Sequence, residues 1–185
     1  MPKNKTRQLV FDALLSAMCA VLAYLSVKVG SNFKVTFESV PILVGALLFG
    51  PLDGALVGLV GTTLYQVFFS GYGVTVTTPL WIAPYVICGL LVGLYAKRRG
   101  FSLKQWQIAF IIVSNELLIT ALNTGAIYVD SKIYGYYKPS IITGVLALRL
   151  IVCVVKAVAY AAVLPPLLQG LRQFAPQMRT GGVKA

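Results

Sequence analysis

Residues 141–171 read IITGVLALRLIVCVVKAVAYAAVLPPLLQGL. The run holds two charged side chains, Arg149 and Lys156, and no acidic one. At about 1.5 Å per residue, a helix of this length outruns a hydrocarbon core about 30 Å thick. A core helix of a soluble domain has no need of so long an apolar run. The stretch reads as a membrane span, and Pro165-Pro166 near its end predicts a break or kink at the interface.

Outward from it, five further apolar runs cover residues 9–29, 40–49, 54–69, 80–96 and 106–127. Residues 40–49 are short for a crossing unless 33–39 lie in the interface or the bilayer is locally thin. The expected fold is an all-α membrane protein of six transmembrane helices, forming one integral domain over residues 1–185. Basic tails cover about 1–8 and 172–185.

Composition agrees. Of 185 residues, 58% are hydrophobic and 11% are charged, with five acids against 16 Lys and Arg, for a net charge of +11. Mean hydropathy is +0.82. Soluble domains carry about 25% charged residues, so there is too little charge for a water-facing surface. The basic excess suits an anionic lipid leaflet. No basic run is interleaved with aromatics as a nucleic-acid groove requires, so no nucleic-acid partner is expected. Histidine is absent, which excludes His-ligated metals and Ser-His or Cys-His nucleophile pairs. Cys19, Cys88 and Cys153 each stand alone in apolar runs and read as small core residues. There is no metal-ligand spacing, P-loop or G-x-S-x-G, and no close carboxylate pair. No cofactor, metal site or enzymatic activity is expected.

The basic residues give the orientation. Lys3, Lys5, Arg7, Lys97, Arg98, Arg99, Lys104, Arg172, Arg179 and Lys184 fall on one side of a six-span chain, and Lys28, Lys34, Lys132 and Lys138 on the other. The positive-inside rule makes both termini cytoplasmic. The start, MPKNKTRQ, is polar and basic, and the following run has no signal-peptidase site at its end. It reads as a retained first helix.

Between spans, Gly50-Pro51-Leu52-Asp53-Gly54 reads as a tight turn. Gly50, Gly54 and Gly58 recur every four residues, predicting close packing of spans two and three. The outer stretches 32–38 and 73–78 alternate apolar and polar side chains, which predicts extended segments. Tyr128, Tyr134, Tyr136 and Tyr137 form either an interfacial aromatic belt or an outer mouth that closes over a flat ligand.

Four charges fall within the spans, where each is costly. Asp12 is near enough to an end to reach the interface. Glu116 either neutralises Lys156 or Arg149, or leaves Arg149 to grip a ligand carboxylate or phosphate with its planar fork. Asn123 lies at a depth comparable to Arg149 and offers polar contacts to a ring. Trp81 and Tyr85 are four apart, on one face of span four. Pro79 and Pro84 bracket them and would open backbone groups to a cavity. Ala13, Ala17 and Ala20 form a small-residue strip on span one, for internal packing or for a partner helix.

The chain resembles the substrate-binding S component of an energy-coupling-factor vitamin transporter. The likeness lies in six spans, cytoplasmic termini and the step Ala13-Leu14-Leu15-Ser16-Ala17. Phe37-Glu38-Ser39-Val40-Pro41-Ile42, followed by Gly45-Ala46-Leu47-Leu48-Phe49-Gly50-Pro51, resembles the folate-type branch, as do Asn123-Thr124 and Arg149. The likeness extends over about residues 7 to 170. It implies a multi-pass cell-membrane subunit of a prokaryote that captures a water-soluble vitamin outside. Folate is favoured; pantothenate, a pyridoxine-like ring, cobalamin and a queuosine precursor stay open. It further implies a ligand site of Trp81, Tyr85, Asn123 and Arg149, joined by Lys34 and Thr77 from the loops. Docking through Ala13, Ala17 and Ala20 onto a transmembrane coupling subunit with two ATPase subunits is likewise implied. The alternatives are a free-standing small permease or channel, and, less favoured, an intramembrane enzyme.

Overall fold

The computed structural model describes residues 3–28, 34–71, 73–101 and 103–172. In chain order these form α1 (Lys3–Tyr24), β1 (Val27–Lys28), β2 (Lys34–Val35), α2 (Ser39–Leu48), α3 (Pro51–Phe68), α4 (Thr78–Arg98), α5 (Gln105–Ile133) and α6 (Pro139–Arg172). The fold is all-helical apart from a two-residue ladder, in which Val27 faces Val35 and Lys28 faces Lys34 in antiparallel register. Asn32, Phe33, Arg179 and Lys184 lie outside the described residues.

The helix ends follow from local chemistry. Gly50 has φ +127°, a conformation that favours glycine, and Pro51 then opens α3 with Asp53 in its first turn, where the helix dipole favours an acid. Lys97 and Arg98 close α4 with the opposite complement. Gln107 Oε1 accepts the Lys104 backbone N–H at 2.9 Å, fixing the start of α5.

Among the described residues, four helices (α1, α4, α5 and α6) are long and apolar enough to cross a membrane. With 18 residues, α3 spans about 27 Å. With ten residues, α2 spans only about 15 Å, and nine of them are buried. It is enclosed by α1, α3, α4 and α6, so its shortness exposes little backbone to lipid.

Glycine lets the central helices touch. A Cβ on Gly54 would stand 2.5 Å from the Ala46 Cβ of α2 and 2.9 Å from the Gly89 carbonyl oxygen of α4. One on Gly58 would meet the Tyr85 carbonyl oxygen at 2.9 Å. The four-residue glycine repeat therefore packs α3 against α4 as well as α2. In lipid such van der Waals contact, rather than exclusion of water, holds helices together.

Several sequence expectations are corrected. Helix α1 stops at Tyr24 because Val27 and Lys28 enter the ladder. The alternating stretch 73–78 is not a strand: Thr78 Oγ1 accepts the Thr75 backbone N–H at 2.8 Å and the chain turns into α4. Helix α5 continues to Ile133, so Tyr128 is helical. Helix α6 runs unbroken through Pro165 and Pro166, which cost it the backbone bonds to the Ala161 and Ala162 carbonyls; a 34-residue helix with bonded turns on both sides tolerates this. Asp12 is buried within the bundle, 7% exposed, near Asp53 of α3, whose carboxylate accepts from Gln8 at 2.5 Å.

Candidate functional site

The polar interior of the bundle gathers around residues 36–39, where the chain after β2 enters α2. Thr36, Glu38 and Ser39 are all buried. Glu38 Oε1 accepts the Thr36 hydroxyl at 2.8 Å and the Tyr85 hydroxyl from α4. Its backbone carbonyl faces the Cys19 thiol of α1 at 3.4 Å. Ser39 Oγ donates to Glu116 Oε1 on α5 at 2.7 Å and lies 3.1 Å from the Tyr160 hydroxyl of α6. Tyr160 in turn reaches the Thr36 carbonyl at 3.4 Å. Three residues thus bind side chains of four helices. Buried polar groups need such partners, since each is costly without one.

The choice left open for Glu116 is resolved by distance. Lys156 Nζ lies 2.8 Å from Glu116 Oε2 and 5.6 Å from the centre of the Tyr160 ring. Arg149 takes no part in this pair. Its Nη1 donates to Thr124 Oγ1 of α5 at 3.1 Å, and its buried Nε has no partner among the described residues. Arg149 is half-buried, ten residues into α6, or about 15 Å along it.

Asn123 precedes Thr124 on α5. Its buried Oδ1 has no hydrogen-bond partner among the described residues. Tyr85 is thus bonded to Glu38 and Arg149 to Thr124, with Asn123 beside Thr124 on α5. Trp81 stands one turn outward of Tyr85 on α4, half-buried. Thr77, at the cap of α4, is 1% exposed and pairs its hydroxyl with Thr75 at 3.1 Å. Lys34 lies on β2; its side chain is outside the described set. Pro84 sits within a continuous α4 and leaves the Leu80 carbonyl without its usual N–H donor.

Glu38, bonded to Tyr85, was not singled out by sequence reasoning. Its signal was present: an acid placed directly before an apolar run with no cation beside it. Tyr160 and Ser39 carried no comparable mark.

Residues 7–168 match the family described as ECF transporter, substrate-specific component. The chain belongs to that family. It shares its fold with the S component for biotin from an ECF-type ABC transporter, at a TM-score of 0.70 with 14% identity over 94% of each chain. It also matches an S component of a bacterial ECF transporter at a TM-score of 0.65, with 20% identity over 91% of this chain and 99% of the other. This S component is therefore a multi-pass membrane protein and a substrate-binding subunit of a transporter, not an enzyme.

On α1 of this S component, Ala13 and Ala17 are exposed, as are Leu14 and Met18, which directly follow them. Ala20 is only 5% exposed. It faces the bundle interior, so the three alanines do not form one outward strip. The outer tyrosines are tied locally: Lys132 Nζ lies 4.3 Å from the Tyr137 ring centre and 5.8 Å from that of Tyr128, and Tyr136 bonds to Asp130.

Proposed function

We propose that this S component captures a water-soluble vitamin bearing a carboxylate, with folate favoured, from the outer side of the membrane. The site lies between α4, α5 and α6, beneath the outer loops. Both termini are cytoplasmic. The single observation that carries the reading is the division of charge on α6. Lys156 is neutralised by Glu116, whereas among the described residues Arg149 meets only a hydroxyl and keeps a buried N–H unpaired. A guanidinium so placed is an incomplete ion pair, and a planar carboxylate is its natural complement. Tyr85 and Trp81 supply an aromatic wall, and Asn123 supplies a polar contact for a ring. Lys34 and Thr77 frame the site from the loops.

Release inward needs partners, since the chain carries no nucleotide-binding loop. A transmembrane coupling subunit docks on the α1 face at Ala13 and Ala17, where small side chains allow close approach, and two ATPase subunits drive it. The test is uptake of labelled folate into lipid vesicles. The chain together with coupling and ATPase subunits should take it up only with ATP, and the chain alone should bind without accumulating it. ATP-independent uptake by the chain alone would mean a free-standing permease.

A further inference from the structure

Helices α1 and α6 both pack against α2 and make little contact with each other. Between them runs a groove with a cavity of about 230 Å³, walled by Phe11, Leu14 and Met18 of α1 and by Leu167 and Leu171 of α6, with Val44 of α2 in its floor. No charged or hydrogen-bonding side chain lines it. The rings of Phe11 and Phe49, 6.0 Å apart, mark one end. The floor, α2, is ten residues long, or about 15 Å, which is half of a hydrocarbon core about 30 Å thick. The groove is one leaflet deep. Arg7 lies four residues before Phe11 on α1, hence on the same face, and is exposed. Arg172 directly follows Leu171 in the chain. The acid nearest to Arg7 in contact terms, Asp53, is taken up by Gln8 on the α3 side of α1. The Phe11 end of the groove therefore opens where α1 begins and α6 ends, among cations.

We infer that this groove binds one anionic phospholipid of the adjoining leaflet, with an acyl chain laid along α2 between α1 and α6 and the phosphate at Arg7. Three features match that ligand together: a wholly apolar wall, a depth of one leaflet, and cations at the mouth. A partner helix matches less well. With side chains it is about 10–12 Å across and crosses both leaflets, so it would overrun a groove that serves one. Each Lys or Arg near the membrane surface favours an anionic lipid by about fivefold, so the headgroup, and not the acyl chain, sets the choice of lipid. The site is separate from the vitamin site and does not depend on which vitamin is bound. It borders the face of Ala13 and Ala17, since Leu14 and Met18 directly follow them and wall the groove.

The experiment places the full chain in nanodiscs of equal dioleoyl phosphatidylglycerol and dioleoyl phosphatidylcholine, and counts the lipids it retains by native mass spectrometry. One phosphatidylglycerol should stay bound, favoured over phosphatidylcholine by about fivefold or more. Arg7→Gln combined with Arg172→Gln should bring that ratio toward one. Leu167→Trp fills the groove from α6, where Leu167 is 40% exposed, and should remove the bound lipid of either kind. The control is Ile87→Trp, in a second apolar groove between α3 and α4 that has no charged residue in its wall; it should leave retention unchanged. Melting curves show which variants fold. Should Leu167→Trp fail, Leu14→Trp fills the groove from α1, and the arginine pair decides the headgroup by itself. Retention that survives filling of the groove overturns the inference, as does a preference that survives loss of both arginines. A Leu167→Trp chain that keeps its lipid but no longer co-purifies with the coupling subunit would make the groove a protein contact, and overturns it too.

Discussion

Lys156 Nζ stands 2.8 Å from Glu116 Oε2, joining α6 to α5 through a carboxylate that is 1% exposed. The pair is completed by Ser39, which donates to the other carboxylate oxygen. Removing one member of such a pair leaves the other charged and buried, which costs far more than replacing both. Glu116→Gln should therefore destabilise the protein by about 3–5 kcal/mol, and Glu116→Gln combined with Lys156→Met should recover much of the loss. Thermal unfolding in detergent of the two single variants and the double variant checks this. Equal destabilisation in single and double variants would show that the ion pair is not the source.

Arg149 should behave in the opposite way. Its one hydrogen-bond partner among the described side chains is the Thr124 hydroxyl, so Arg149→Ala should change thermal stability little. Binding of a carboxylate-bearing vitamin should weaken by roughly 2–5 kcal/mol, as when one side of a buried charge pair is lost. Lysine restores charge without the planar fork and should recover only part of it. Paired titrations with the vitamin and an uncharged ester decide the matter: equal losses for both would make Arg149 structural.

Bulk on the outer face of α1 should separate assembly from capture. Ala13→Trp or Ala17→Trp should abolish co-purification with the coupling subunit and leave folate binding intact, since both alanines face away from the interior. Ala20→Trp should instead damage the fold, because Ala20 is buried. Intact assembly with Trp at both outward positions would locate the docking face elsewhere.

At Gly54 even a methyl group is too large. Gly54→Ala would place a carbon 2.5 Å from the Ala46 Cβ, and overpacking of this kind costs typically about 1–3 kcal/mol. Gly125, where an added Cβ meets nothing within 4 Å, is the control, and Gly125→Ala should be neutral or slightly stabilising. The comparison needs only melting temperatures.

Asp12 and Asp53 lie close together between α1 and α3. Asp12→Asn replaces a like-charge contact with an N–H donor facing a carboxylate, and should hold or raise the melting temperature. A marked fall would mean that the Asp12 carboxylate has an acceptor role that an amide cannot fill.

The helices were legible in the sequence because lipid imposes one strong rule, a long apolar run, and α1, α4, α5 and α6 obey it. Their ends were less so. The ladder at Val27–Lys28 depends on a partner segment seven residues away, and Pro165 and Pro166 break helices in water more readily than in a bundle. Arg149 and Asn123 announced themselves as polar residues in apolar runs, whereas the choice of Lys156 as partner for Glu116 needed the relative rotation of α5 and α6. The burial of Asp12 was hidden for the same reason. Its neighbour Asp53 lies on another helix, and no periodicity within α1 reveals it.

The short α2 has a consequence for the work of transport. It shares the turn at Gly50 with α3, yet reaches only about 15 Å where α3 reaches about 27 Å. Glu38, at its far tip, thus lies about 15 Å from that turn. Any shift of α2 imposed by a partner subunit would therefore carry the Glu38–Tyr85 contact of the proposed site with it.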